Sequence, residues 1–270
     1  MSAENNQPDW DNIAEKFDMW LPHLAPVGDA LVEKLGASPG DYIIDLASGT
    51  GEPALSLARR FNGTISVVGV DAAGGMVRAA SSKVKTENIP EIEFREMAAE
   101  KLEFDDAVFD RALCRFGVML FEDPLKGLKE MRRVLKPGGR FSLAVWNTPE
   151  TMLTLCWACK VFKGRIPEDQ YPPMAKVTSL SGPGVLNDLL NKAGFSDFSV
   201  EKHTFNYSFN SFDDYWDTVE ASDILKQQYD ALATEERDSI RDEAGQLAKD
   251  FVQEGRLIIP HEYLLASGNK

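Results

Sequence analysis

The chain has few cysteines, few histidines and no surplus of positive charge. Three cysteines in 270 residues are too few, and odd in number, for a disulfide framework. Two of them form Cys156-Trp-Ala-Cys159. Thr148 and Pro149 signal a helix start just upstream, so the pair is expected about two turns into a helix, too deep for the helix N-terminus to activate a thiol. The pair reads as small apolar side chains on a buried face, and with no second pair present zinc is not expected. His23, His203 and His261 are scattered, without an i, i+4 partner or a carboxylate at ligand spacing, so no metal is expected there either. Lysine and arginine number 29 against 43 acidic residues, and the formal net charge of −14 is shared evenly by the two halves of the chain. Without a basic face to neutralise phosphates, nucleic acid is not an expected partner, and an anionic membrane surface is disfavoured. No apolar run approaches the ~20 residues that span a bilayer, and Met1 to Asp9 is polar with no signal-peptide core, so a soluble cytoplasmic protein is expected.

With 43% hydrophobic and 27% charged residues, the chain has enough apolar material for a full core. Three stretches are distinguished within one integrated domain: an N-terminal helical lid (1–40), a ligand-binding core (41–150), and a completion of the sheet with a helical cap (151–270). In the first, Trp10, Ile13, Phe17 and Trp20 fall at helical spacing on one face, and a second helix over Val27–Leu35 ends at Gly36. Then strand and helix alternate. Strands are expected at Tyr42–Leu46, Ile65–Val70, Ile92–Arg95, Phe109–Cys114 and Arg140–Trp146, with helices at Glu52–Arg60, Gly75–Val84 and Pro124–Leu135. The pattern predicts a parallel sheet covered on both faces, with ligands gathered at the carboxyl ends of its strands. Beyond Trp146 come helices at Met152–Phe162 and Val185–Lys192, a strand at Ser199–Phe209, a helical, acid-rich block from Phe212 to Phe251, and a strand at Leu257–Ala266. The block between the last two strands reads as a cap over the strand ends.

The stretch Asp41-Tyr-Ile-Ile-Asp-Leu-Ala-Ser-Gly-Thr-Gly-Glu-Pro-Ala54 carries the chemistry. A buried strand breaks into a turn at Gly49 and Gly51, where missing Cβ atoms let backbone N–H groups approach a ligand, and Pro53 is expected at the first position of the next helix. Gly49-Thr-Gly51-Glu-Pro-Ala54 also satisfies the dinucleotide fingerprint G-x-G-x-x-G/A, with Asp71 about 20 residues on. Asp45 and Glu52, however, flank the place where a nicotinamide dinucleotide puts its pyrophosphate. S-adenosylmethionine (SAM) has no phosphate and brings an ammonium and a sulfonium that an acidic rim suits. SAM is therefore the expected cofactor, ahead of NAD. Asp71, ending the second strand, is placed to accept from the ribose hydroxyls.

Asp45-Leu-Ala-Ser-Gly49-Thr-Gly51 resembles motif I of the Rossmann-like (class I) SAM-dependent methyltransferases, with Ala47 where the family usually has its first glycine. Val67-Val-Gly-Val-Asp71, Gly75-Met76, Glu100-Lys-Leu-Glu-Phe104, Phe109-Asp110 and Arg133-Val-Leu-Lys-Pro-Gly-Gly139 extend the likeness to the ubiquinone/menaquinone methyltransferase-like branch over about 105 residues, Asp41 to Trp146. The resemblance implies a seven-stranded, mostly parallel sheet with its last strand antiparallel and a helical cap. It implies Met76 against the adenine face and, where the family has an aspartate for the adenine amine, Ala98, so that recognition passes to the Ala99 amide or to Glu100. Cys114-Arg115-Phe116-Gly117 falls where the family meets the methionine end of SAM and the acceptor, and Arg115 serves either to hold an anionic group or to balance Asp45. No Asn/Asp-Pro-Pro-Tyr/Phe tetrapeptide, the base-amine element by resemblance, occurs.

Phe17, Trp20, Phe116, Trp146 and Trp157, with Tyr215 and Trp216 from the cap, are the candidate pocket walls. His23 and Arg115 are the candidates for acid, base or anchoring work. The expected function is methylation of a small, largely apolar, aromatic or quinol-like molecule at oxygen or activated carbon. An amine acceptor, a non-catalytic SAM-binding protein and an NAD-dependent dehydrogenase are the alternatives. Monomer and homodimer are both open.

Overall fold

The computed structural model describes residues 9–221 and 226–270. Eight strands form one sheet: β1 (Tyr42–Leu46), β2 (Ser66–Asp71), β3 (Ile92–Glu96), β4 (Phe109–Arg115), β5 (Leu135–Trp146), β6 (Asp197–Phe209), the two-residue β7 (Val252–Gln253) and β8 (Arg256–Asn269). Their order is β3-β2-β1-β4-β5-β8-β6, with β7 folded back on β8. The first five are mutually parallel, while β8 runs antiparallel to both β5 and β6. The expected seven strands are all present, and the short β7 hairpin adds an eighth.

Alternation along the strands divides the core between two faces. Ile43 of β1 and Leu113 of β4 pack with Val32 and Leu35 of α2 (Leu21–Leu35, preceded by α1, Trp10–Phe17) and with Leu55 and Leu57 of α3 (Ala54–Phe61). Ile44, Leu46, Ala112 and Cys114 belong to the larger core, with Leu128 and Met131 of α5 (Pro124–Val134; α4 is Gly74–Glu87). Burial of each such Leu or Ile contributes about 1.5–3 kcal/mol. Further helices follow: α6 (Leu153–Phe162), α7 (Met174–Val177), α8 (Val185–Ala193), α9 (Phe212–Ala221), α10 (Lys226–Asp230) and α11 (Thr234–Ala248).

Several boundaries differ from expectation for local reasons. Helix α2 begins at Leu21 rather than Val27 and runs through Pro26, with Pro22 in its first turn, where a missing N–H has no consequence. It ends as expected on Gly36 at φ 61°. Pro53 precedes α3 instead of opening it. Strand β5 starts at Leu135 and absorbs Pro137-Gly-Gly139, at the cost of a register shift against β4. The Phe212–Phe251 block is not one helix. Thr234 starts α11 afresh, with Glu236 reaching back to the Ala233 N–H at 3.3 Å. Cys156 lies in the first turn of α6 rather than two turns in, because a 3-10 turn over Pro149–Thr151 precedes it. Its thiol donates to the Pro149 carbonyl, and burial raises the pKa of both Cys156 and Cys159, so neither is activated.

Leu46, Asp71, Arg115 and Trp146 end β1, β2, β4 and β5 on one edge of the sheet. The loops leaving that edge carry the site.

Candidate functional site

The loop after β1 alternates its handedness. Ala47, Gly49 and Gly51 have φ of 52°, 54° and 105°, the conformation that turns successive N–H groups to one side and makes a concavity for a ligand. The two glycines serve different ends. A Cβ built on Gly49 would meet nothing within 4 Å, so this side of the loop is open, whereas on Gly51 it would strike Leu55 Cδ1 at 2.8 Å and Phe94 at 3.1 Å. Gly51 thus lets α3 and β3 pack closely, and Gly49 marks the open side of the loop. At position 47 the left-handed φ explains the glycine expected there by resemblance. Alanine is accommodated because Gly117 stands opposite, where any Cβ would come within 2.5 Å of that of Ala47. The strain of holding Ala47 there costs about 1–2 kcal/mol.

Asp45 lies beneath the loop with no exposure, and neither carboxylate oxygen has a hydrogen-bond partner. Burial raises its pKa well above the usual range. Arg115 opposes this, while Asp71 and Glu52 add to it. The Ser48 hydroxyl beside it is buried and equally unpartnered. Asp71 is satisfied: one oxygen accepts from Gly49 N–H and the other from Ala73 N–H, each at 2.9 Å. The sequence reading gave this carboxylate to the ribose; here it also holds the glycine loop in shape. Glu52 is engaged by Arg59 at 2.8 Å and by the Ser56 N–H.

Around the expected adenine position, Met76 is buried in the first turn of α4, Ala99 is buried and Ala98 is exposed. The Glu100 carboxylate accepts from the Glu122 N–H at 2.8 Å, which gives it a loop-tying role rather than an adenine contact. The N-terminal segment closes this side. Helix α1 packs on α4, with Asp11 accepting from Gly75 N–H at 2.5 Å, and a Cβ on Gly75 would collide with the Asp11 backbone at 2.2 Å. Asp18 accepts from the Thr50 hydroxyl at 2.5 Å and pairs with Lys83 at 2.6 Å, while Lys83 also donates to the Thr50 carbonyl. These acidic tethers were not legible in sequence, since their partners are 32 to 65 positions away.

Beyond the loop the walls are aromatic. Phe116 and Trp146 stack at 3.9 Å with planes 8° apart, and Phe205 continues the row. Trp20, His23, Tyr207 and Phe209 form the facing group, with His23 against Phe209 at 4.1 Å and Trp20 against Tyr207 at 5.7 Å. Trp157 meets Tyr215, which touches Phe209, so the cap joins the same network, and Trp216 stacks on Phe212 behind it. Phe17 packs edge-on to Trp10 in the lid. His23 has its pKa lowered by burial, against the pull of Asp214. The sequence named Trp20, Phe116, Trp146 and Trp157 as wall candidates but not Tyr207 or Phe209, which join the same aromatic network, although the alternation Phe205, Tyr207, Phe209 along β6 was visible and places all three on one buried face. His261 is a core residue: its Nδ1–H donates to the Ile259 carbonyl and its Nε2 accepts from the Thr154 hydroxyl, which fixes the neutral ring, with a pKa lowered to about 4 by burial. Among the described residues no group of three His, Cys, Asp or Glu is placed to hold a metal.

The donor set suits SAM better than a dinucleotide: a buried unpaired carboxylate, an open Gly49 and acids at both flanks. The sequence profile of the ubiE/COQ5 methyltransferase family matches residues 27–209. The chain belongs to that family. With the family go the methyltransferase class and SAM as cofactor. A ubiquinone/menaquinone biosynthesis C-methyltransferase from Geotalea daltonii is 34% identical over 158 residues, 56% of this chain and 67% of the relative. A demethylmenaquinone methyltransferase from Beutenbergia cavernae is 34% identical over 145 residues, 52% of this chain and 59% of the relative. The chain thus spans about three fifths to two thirds of these relatives. The YcgJ protein from Bacillus subtilis shares the fold, with a TM-score of 0.61 over 91% of this chain and 98% of that one at 19% identity. No helix among the described residues is long and apolar enough to cross a membrane.

Proposed function

We propose that this chain transfers the methyl group of SAM to a small, largely apolar, aromatic or quinol-like acceptor, at oxygen or at an activated ring carbon. The observation that carries the reading is the stacked Phe116–Trp146 pair after β4 and at the end of β5, joined through Phe205 to Tyr207, Trp20 and Phe209. SAM, when bound, supplies an electrophilic methyl on a positively charged sulfur. Asp45 and the Ser48 hydroxyl would receive its amino-acid end, Gly49 would let it approach the loop, Asp71 would take the ribose, and Met76 with the Ala99 amide would flank the base. The chain's further contribution is alignment and exclusion of water, which suffices to accelerate an in-line displacement substantially. Of the lid expected over 1–40, residues 9–40 would cover the cofactor, residues 1–8 lying outside the described residues, and the helices after β6 would cap the acceptor. An amine acceptor is less supported, because the aromatic groups named carry no carboxylate. A cytoplasmic enzyme acting on a small molecule, not on nucleic acid, belongs to the same proposal, and the acidic surface supports it.

Calorimetry with S-adenosylhomocysteine (SAH) and with NADH tests the cofactor, and methyl transfer to a panel of quinols, phenols and amines tests the acceptor. Binding of SAH alone and label on quinols or phenols is the expected result. Binding of NADH in place of SAH, or label confined to amines, would overturn it.

A further inference from the structure

Buried polar groups ordinarily find partners, and those that do not point to a ligand. Such groups occur both at the glycine loop and in the aromatic network. Both oxygens of Asp45 and the Ser48 hydroxyl lack partners on the cofactor side; on the far side the Trp20 indole Nε1–H is sealed from solvent with no acceptor. Nearby stand two more polar groups that make no hydrogen bond or ion pair among the described residues, the half-buried Arg115 guanidinium and the Tyr207 hydroxyl. Arg115 ends β4 next to Phe116 of the stacked pair, and its Nη1 lies beside Gly28 of α2, 3.7 Å from where a Cβ there would stand. Tyr207 reaches the same space from β6 with its ring 5.7 Å from that of Trp20.

Arg115 does not simply neutralise Asp45. The two influence one another's charge, yet Asp45 accepts no hydrogen bond from it and they form no ion pair. Its fork of N–H donors therefore remains available for a third group. The ionisable groups around it are Asp45 of β1, Glu52 before α3, Tyr207 of β6 and, against Tyr207, His23 of α2 and His261 of β8. Burial lowers the Arg115 pKa, and the two acids and Tyr207 hold it up. Burial also raises the Tyr207 hydroxyl, so it keeps its proton and donates. Three donors, one of them cationic, thus stand on the aromatic side of the cofactor with nothing to receive them.

Resting on the methyltransferase reading, we propose that Arg115, the Tyr207 hydroxyl and the Trp20 indole N–H form a subsite for a negatively charged oxygen, so that the enzyme takes its aromatic acceptor as the phenolate. A neutral phenol is a poor nucleophile, and an apolar pocket would raise its pKa. A guanidinium at the oxygen reverses that shift, and the proton goes to solvent as the acceptor binds. The oxygen, or the ring carbon to which its electrons are delocalised, then forms the new bond to the methyl carbon as the carbon–sulfur bond breaks and its electron pair stays on sulfur. The two opposite charges cancel. For attack by carbon, the proton on that ring carbon is then lost to solvent, which restores the aromatic ring as the phenolate. No side chain need act as general base in the transfer itself. Arg115 is then a specificity and positioning group, and it selects an acceptor with an acidic hydroxyl.

The test is calorimetry on the full chain at saturating SAH, with naphthols of graded acidity and their methyl ethers, between pH 7 and 10, where His23 and His261 are neutral. We expect each naphthol to bind at least tenfold more tightly above its own pKa than below it, the ethers to bind more weakly and without pH dependence, and Arg115→Met to abolish the difference between naphthol and ether while still binding SAH. Arg115→Lys should restore part of it, and Tyr207→Phe should reduce it several-fold. Equal binding of naphthols and ethers to the wild type, or none of either, would overturn the subsite and leave the cofactor reading intact. Should Arg115→Met fail to fold, the wild-type ether comparison and Tyr207→Phe decide the matter. Failure of SAH itself to bind would overturn the methyltransferase reading and the subsite together.

Discussion

Asp45 loses its hydration on folding, and neither of its oxygens finds a well-formed hydrogen bond in return, so its burial costs stability. Its folded pKa is raised above the unfolded value near 3.8, so its contribution to stability is fully present only below that pH and is lost as pH rises through the folded value. Asp45→Asn should therefore stabilise the ligand-free chain, by about 1 kcal/mol at neutral pH and by nothing near pH 3, while weakening SAH about tenfold or more. Melting curves from pH 3 to 8, read against SAH calorimetry, check both halves. His261 has the opposite sign. Its pKa falls from 6.5 to about 4, so the stability it carries is whole above pH 6.5 and declines as pH drops toward 4, by about 3 kcal/mol at most. His261→Leu should flatten that acid limb in the same melts. At this scale the sequence disclosed the residues whose neighbours are close in the chain. Asp45, Gly49 and Asp71 announce themselves by spacing alone. Tyr207 and the Trp20 indole N–H become meaningful only when β6 and the lid fold against β4, a juxtaposition no local pattern encodes. Gly49 and Gly51 looked alike in sequence and part company only once Leu55 is seen against one of them.

The elements most plainly written in the chain were those whose period matches their environment. Strands β1 and β2 are apolar throughout because both faces are covered. The lid was legible as a helix from Trp10, Ile13 and Phe17, but its attachment was not, since Asp11 and Asp18 look like ordinary surface acids until Gly75, Thr50 and Lys83 meet them. The cap was legible as a helical block but its internal breaks were not, because acidic, helix-favouring residues run through them; the Ala233–Glu236 contact marks the start of α11. Asp18→Asn removes a half-exposed ion pair, so we expect little change in melting temperature but a several-fold faster release of SAH, measured by stopped-flow displacement, and quicker proteolysis near residue 20. Gly75→Ala should act more strongly on the same measurements, because its Cβ would be driven into the Asp11 backbone and α1 would have to move off α4.

Seen entire, the molecule threads its last described strand into the interior of the sheet. Strand β8 pairs with β5 over seven residues and with β6 over thirteen, and His261 in it anchors α6 through Thr154. The aromatic wall therefore depends on contacts between distant parts of the chain, and changes in β8 should alter acceptor handling without touching the glycine loop. Tyr263→Ala is expected to lower acceptor affinity and leave SAH affinity within twofold, by calorimetry with each. The net charge of −14 surrounds this arrangement. Within that field, the Asp11 carboxylate already sits on the N-terminus of α4, the position at which a helix would otherwise welcome a phosphate. A cell's adenine pool is mostly phosphorylated, and nucleotides outnumber SAM many times over. With its own anion already at that helix end, the chain should repel ATP and its relatives there, and ATP is expected not to displace SAH in calorimetry even when present in large excess.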